Sequence, residues 1–131
     1  MWIVTYFHRF VSSPSFSLSV GVSLFVIGEL GNFYHHLLLK NLRPGSSSSG
    51  SGREYGTPTG GLFDLVTMPH YFFELVAWFG IAVTSSSLNS LLVVLSMTSY
   101  LAGRSVATRS WYIDNVKGYP SGRRALVPFI F

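Results

Sequence analysis

The sequence predicts an all-α integral membrane domain, and three observations carry that prediction. Charged residues make up 11% of the 131-residue chain and hydrophobic residues 48%, whereas an ordinary soluble domain is roughly 25% charged. Aromatic residues reach 16%, as where rings settle at a membrane–water interface. Long apolar runs alternate with short polar ones, and the mean hydropathy is +0.40. The chain has no cysteine, which excludes a disulfide framework and a thiolate metal site.

The elements follow in order. Residues 1–12 open on MWIVTYFHRF, an apolar stretch too short to cross a bilayer and without a signal-peptide pattern. It reads as the remnant of a preceding helix or as an N-terminal tail, ahead of one domain over residues 13–131. Ser13-Pro14 starts a helix, since proline is tolerated in the first turn. The first span covers about residues 15–40. Residues 41–61, NLRPGSSSSGSGREYGTPTGG, are polar and rich in Gly, Ser and Pro, so they form a flexible loop. Residues 62–83 are the second span, with Pro69 as an interruption. TSSSLNS (84–90) is a turn, and the third span covers residues 88–111. The chain closes on YPSGRRALVPFIF, basic and then apolar.

Charge placement orients the spans. Lys40, Arg43 and Arg53 follow the first; Arg104, Arg109, Lys117, Arg123 and Arg124 belong to the end of the third and beyond it. The turn between spans two and three is uncharged. Three spans bring both basic regions to one side, which the positive-inside rule makes cytosolic.

The stretch TMPHYFFELVAWFG (67–80) then asks why a lipid-like run contains His70 and Glu74. An ionisable group within a membrane costs a few kcal/mol or more, so it faces a cavity or a partner. Helical spacing gives each span one polar stripe. Glu29, Asn32, His36, Lys40 and Arg43 share a face on the first; His70, Glu74 and Trp78 on the second; Arg104, Thr108 and Tyr112 on the third. One reading is interhelical hydrogen bonding. The other, favoured because all three stripes climb towards the basic side, is a binding cavity open to the cytosol. Arginines at its mouth suit phosphates, which a guanidinium grips through paired hydrogen bonds.

Other chemistries lack their signatures. No GxGxxG follows a strand and no P-loop occurs. Gly28 and Gly31 read as positions of close helix packing. His8, His35, His36 and His70 lack metal-site spacing, and the adjacent His35 and His36 point about 100° apart on a helix, so no metal is expected. There is no nucleophile elbow, and a membrane-embedded basic rim is a poor nucleic-acid surface.

The stretches GNFYHHLLLKNLRPG, GGLFDLVTMPHYFFELVAWFG and GRSVATRSWYIDNVKGYPSGRRALVPFIF together resemble the C-terminal half of the steroid 5α-reductase family, over about residues 28–131. The resemblance is strongest to a plant branch, and very-long-chain enoyl-CoA reductases share the module. It implies the C-terminal half of an endoplasmic-reticulum bundle of about seven helices. It also implies an NADPH-dependent oxidoreductase that reduces a carbon–carbon double bond conjugated to a carbonyl. The substrate would be a lipid, either a 3-oxo-4-ene steroid or a trans-2-enoyl thioester. A fragment that keeps the fold without catalysis is the reading from another class. Asn32, Arg43, Tyr55, His70, Glu74, Arg104, Tyr112 and Arg123 match positions lining the family's NADPH site. His36 and Thr108 join them from the stripes. Arg43, Arg104 and Arg123 would hold phosphates, with Asn32, His70, Glu74 and Tyr112 orienting ribose and nicotinamide. Position 36 is His where steroid reductases often carry an acid, and Gly118 replaces an acid before the Tyr-Pro pair. The family's carbonyl-binding acid and tyrosine lie in its N-terminal half, so no catalytic residue is assigned.

Overall fold

A computed structural model describes residues 14–42 and 56–131; Arg43, Tyr55 and residues 1–13 lie outside these. Helix α1 runs Pro14–Asn41, α2 Pro69–Ser85 and α3 Leu88–Asn115, with a single 3-10 turn at Gly61–Asp64. Among the described residues the one β-type pairing is an isolated parallel bridge between Val66 and Arg124. Helices α1 and α3 are long and apolar enough to cross a membrane, as fits a membrane protein.

The second helix departs from expectation. It starts at Pro69 instead of running from residue 62, so the proline opens the helix and does not interrupt it. The reason is local: Pro fixes φ and lacks an N–H, which suits the first helical turn. The residues before it form the 3-10 turn and an extended segment. With 17 residues, α2 rises about 26 Å, a little less than the roughly 30 Å of a hydrocarbon core.

Helix α2 ends where Ser86 takes a left-handed φ of 50°, its N–H donating to Ala82 at 3.0 Å. The next residue, Ser87, caps α3 by accepting the Asn89 N–H at 3.3 Å. Two adjacent serines therefore stop one helix and start the next. Many other hydroxyls are satisfied within their own helix. Ser23 donates to Ser19, Thr98 to Val94 and Ser105 to Leu101, each to the carbonyl one turn back. Such bonds let polar residues sit in an apolar helix without an open donor.

Helices α1 and α2 pack with their backbones nearly touching. A Cβ added at Gly28 would lie 2.5 Å from the Ala77 nitrogen and 2.7 Å from the Phe73 carbonyl. At Gly80 it would lie 2.6 Å from the Gly21 carbonyl, and at Gly21 it would collide with Thr84. Close approach of this kind is how helices associate where lipid removes the hydrophobic drive. Gly28 is therefore a packing position, as its place in the sequence predicts. The opposite face of α1 leaves Phe16, Leu18, Val22, Val26, Ile27, Leu30 and Phe33 exposed.

The far end of the three helices carries a cap made of residues 58–68 and the tail 119–131. Thr67 N–H donates to the Arg124 carbonyl at 2.8 Å, Arg124 N–H to Leu65 at 3.0 Å and Met68 N–H to Ala125 at 3.2 Å. Phe63, Val66, Leu126, Ala125 and Tyr119 form its buried centre. The C-terminal end of α1, the N-terminal end of α2 and the C-terminal end of α3 meet here. Lys40, Lys117 and Arg124 thus share one end of the molecule.

Candidate functional site

Two of the predicted stripes come together, and the third reaches them through one residue. A groove of about 440 Å³ runs between α1 and α2, lined by Phe25, Glu29, Asn32 and His36 from α1 and by Glu74, Ala77, Trp78 and Ile81 from α2. The i, i+3, i+7 spacing of Glu29, Asn32 and His36 puts them on one side of α1. The glycine seam beside them brings α2 near enough to close the other wall. Asn32 donates to the His70 carbonyl at 3.0 Å, tying the stripe on α1 to the first turn of α2. The His36 and His70 rings stand 4.8 Å apart.

His70 is buried, and its Nδ1 has no hydrogen-bond partner. An orphaned polar atom in a buried position costs free energy unless something fills the role of partner. One side of its ring lies against Tyr71, 4.4 Å between centroids. The Tyr71 hydroxyl, with that of Tyr100, in turn interacts with the Arg104 guanidinium. The sequence of contacts is His36, His70, Tyr71, Arg104, and it links all three helices. Tyr71 was missed by the sequence reading because stripe analysis keeps i and i+4 and drops i+1. An aromatic residue next to a buried histidine was its only signal.

The remaining predicted residues are placed elsewhere. Thr108 is half-buried on α3 and does not line the groove. Tyr112 stacks on Tyr119, with 5.1 Å between centroids and 22° between planes. Arg123 sits in the cap: Nη1 donates to the Pro58 carbonyl at 2.7 Å, and Nη2 lies 3.8 Å from the Asp64 carboxylate. It is 7% exposed, its Nε has no partner, and its guanidinium stands 5.5 Å over the Tyr119 ring. Arg43 and Tyr55 fall outside the described residues.

His35 and His36 separate as their 100° offset requires. His36 faces the groove, while His35 is buried against Phe73 and Phe63. Its Nδ1 bonds the Gly31 carbonyl at 2.7 Å and its Nε2 accepts the Leu62 N–H at 3.1 Å. These partners fix a neutral ring with the proton on Nδ1. The ring leaves no room for a side chain at residue 61, where a Cβ would lie 2.8 Å from Nε2; Gly61 also has φ of 56°. His35 is thus a clamp between α1 and the cap, which sequence spacing alone did not reveal.

The arrangement offers a polar slot in apolar surroundings: a carboxylate on each wall, an amide, an imidazole and an indole. Such a slot binds and orients a ligand that is part flat ring and part polar group. Among the described residues no three His, Asp or Glu side chains gather as a metal set.

Comparison with known proteins places the whole chain in a family. The chain matches the family described as 3-oxo-5-alpha-steroid 4-dehydrogenase over residues 1–131. It is 34% identical over 131 residues to 3-oxo-5-alpha-steroid 4-dehydrogenase 1 of Macaca fascicularis, covering 99% of this chain and 46% of that protein. It is 38% identical over 112 residues to steroid 5-alpha-reductase DET2 of Gossypium hirsutum, covering 85% and 42%. It is 30% identical over 135 residues to the very-long-chain enoyl-CoA reductase of Dictyostelium discoideum, covering 98% and 42%. The chain spans about half the length of the curated relatives it matches.

Proposed function

Since the chain belongs to the 3-oxo-5-alpha-steroid 4-dehydrogenase family, we propose that it is the NADPH-binding part of a membrane reductase. The reaction is reduction of a carbon–carbon double bond conjugated to a carbonyl in a lipid, of the 3-oxo-4-ene steroid type. The observation that carries the reading is the α1–α2 groove, which brings Glu29, Asn32, His36 and Glu74 together between two largely apolar helices. The residues fit such a cofactor. The groove volume of about 440 Å³ falls within the roughly 300–1,000 Å³ of small-molecule sites. His70 Nδ1 is a buried polar atom in need of a partner, and Arg104 brings a cation to the neighbouring Tyr71.

When bound, NADPH supplies a hydride for the β-carbon of the enone. This chain's residues act on position. Asn32, already holding the first turn of α2, and Glu74 would orient the polar parts of the cofactor. His36 would give the groove a donor or acceptor for a polar ring, with the His70 ring beside it. Arg43 and Arg104 would take phosphate oxygens through paired hydrogen bonds, and the resemblance adds Tyr55 to the same cofactor set. Arg123, bonded to Pro58 and near Asp64, would hold the 58–64 segment in place instead of gripping phosphate directly.

The similarity to an enoyl-CoA reductase supports a second substrate, a trans-2-enoyl thioester, which presents the same conjugated carbonyl. The location that fits either is the endoplasmic reticulum, with the cap and the basic helix ends cytosolic.

The test uses the purified chain in lipid nanodiscs. Saturable NADPH binding is expected, weakened by Glu74→Gln and by Arg104→Ala. Residues 1–131 alone should not turn over an enone steroid or a long-chain trans-2-enoyl-CoA, and adding the N-terminal half of a relative should restore NADPH consumption. Failure to bind NADPH both with and without that half would sink the reading. Turnover by residues 1–131 alone would overturn its division of labour.

A further inference from the structure

The tip of the tail, residues 126–131, is built unlike the rest of the surface. Phe129 and Ile130 are the most exposed large hydrophobic side chains described, at 78% and 79%. The backbone around them is closed on itself. Leu126 and Val127 N–H both donate to a main-chain carboxylate oxygen of Phe131, at 2.8 and 2.7 Å, and Ile130 and Phe131 N–H donate to the Val127 carbonyl, at 3.2 and 3.1 Å. Pro128 has no N–H, so within 126–131 only that of Phe129 lacks a backbone partner. Phe129 itself sits at φ 66°, a left-handed conformation that a bulky residue rarely adopts and that persists only where surrounding structure holds it. The loop therefore uses strain to present two apolar side chains and keeps its donors bonded.

From this geometry we propose that residues 126–131 form an interfacial wedge that enters the membrane surface with Phe129 and Ile130, favouring anionic lipid. A low-dielectric medium penalises open backbone donors most, and the tip has already satisfied nearly all of them. The position suits the level of the lipid surface. The tail is fixed across the helix ends by Arg109, whose Nε donates to the Arg123 carbonyl and Nη2 to Ser121, each at 2.6 Å. Trp111, 40% exposed, lies two residues along α3 from Arg109, where interfacial aromatics gather. The charge is complementary to anionic headgroups. Arg109, Lys117, Arg123 and Arg124 outnumber Asp64, Asp114 and the Phe131 main-chain carboxylate, and Asp64 is near Arg123. Arg124 and Lys117 have exposed side chains. The proposal does not depend on the cofactor reading.

The chain has no cysteine, so single probes are straightforward. Ile130→Cys and, separately, Phe129→Cys carry an environment-sensitive fluorophore in nanodiscs of phosphatidylcholine, with or without phosphatidylserine. The expected result is blue-shifted emission at both positions, with quenching by lipids bearing a nitroxide near the top of the acyl chain. That depth is roughly 5–10 Å into the headgroup–acyl boundary. Quenching should deepen with phosphatidylserine, and Arg124→Gln should remove that increment. A probe on Ser121→Cys, exposed in the same tail, should stay water-like. Water-like emission at 129 and 130 would overturn the proposal. So would blue-shifted emission without lipid quenching, since protein would then cover the tip, either another segment or a second copy.

Discussion

Along α1 and α2 the two backbones touch, whereas at the helix ends the chain is bridged by long side chains reaching carbonyls. The first region has Gly21, Gly28 and Gly80 at its contact, with no space for one added carbon. The second has Arg109, Arg123 and His35, each bonded to main-chain atoms of another segment. The contrast follows from what each region must solve. Helices satisfy their own backbone, so their association needs only close surfaces. The cap is irregular, and its carbonyls and N–H groups need partners from elsewhere. One region is therefore intolerant of volume and the other of lost hydrogen bonds.

That contrast can be broken in order of size. Gly28→Leu should have the largest effect, a loss of about 3 kcal/mol or more, because the clash is with backbone that cannot yield. Unfolding in mixed micelles against a denaturing detergent measures it, and an unchanged midpoint would deny the seam. His35→Ala should cost about 1–3 kcal/mol by leaving the Leu62 N–H without its acceptor. It should also raise hydrogen exchange at Leu62 more than at the glycine seam. Arg109→Lys should cost about 1 kcal/mol, since lysine keeps the charge but not the two-pronged reach. Proteolysis of the tail should then quicken while α1–α2 association holds. The smallest effect has the opposite sign. Nothing lies within 4 Å of a Cβ at Gly103, so Gly103→Ala should stabilise α3 by roughly 0.5–1 kcal/mol. Loss of stability there would place an unrecognised neighbour against α3.

Much of the helix scheme was legible. Pro14 opens a helix, the serine turn separates two, and Gly28 serves packing. The second helix was misjudged at its start because apolar residues 62–68 look the same to a hydropathy reading whether they are helical or folded into a cap. The groove was half legible: spacing put Asn32 and His36 on one face and His70 and Glu74 on another. That these two faces meet, while Thr108 and Tyr112 stay away from the groove, was not visible. Nor was the separation of duties between His36 in the groove and His35 under the cap, beyond the fact that they must differ.

By itself the sequence determined the long apolar runs, Pro14 and the serines that bound helices, the stripe on each helix and the basic end of the molecule. These are local properties, set by residue type and a 3.6-residue period within one segment. Only the tertiary structure decided that His36 stands by His70, that Arg104 reaches it through Tyr71, and that Arg123 is held by Pro58. Such meetings depend on how far each helix is rotated and how near it comes, which the glycine seam and the cap set across segments distant in the chain. A period read along one helix carries no information about the rotation of its neighbour.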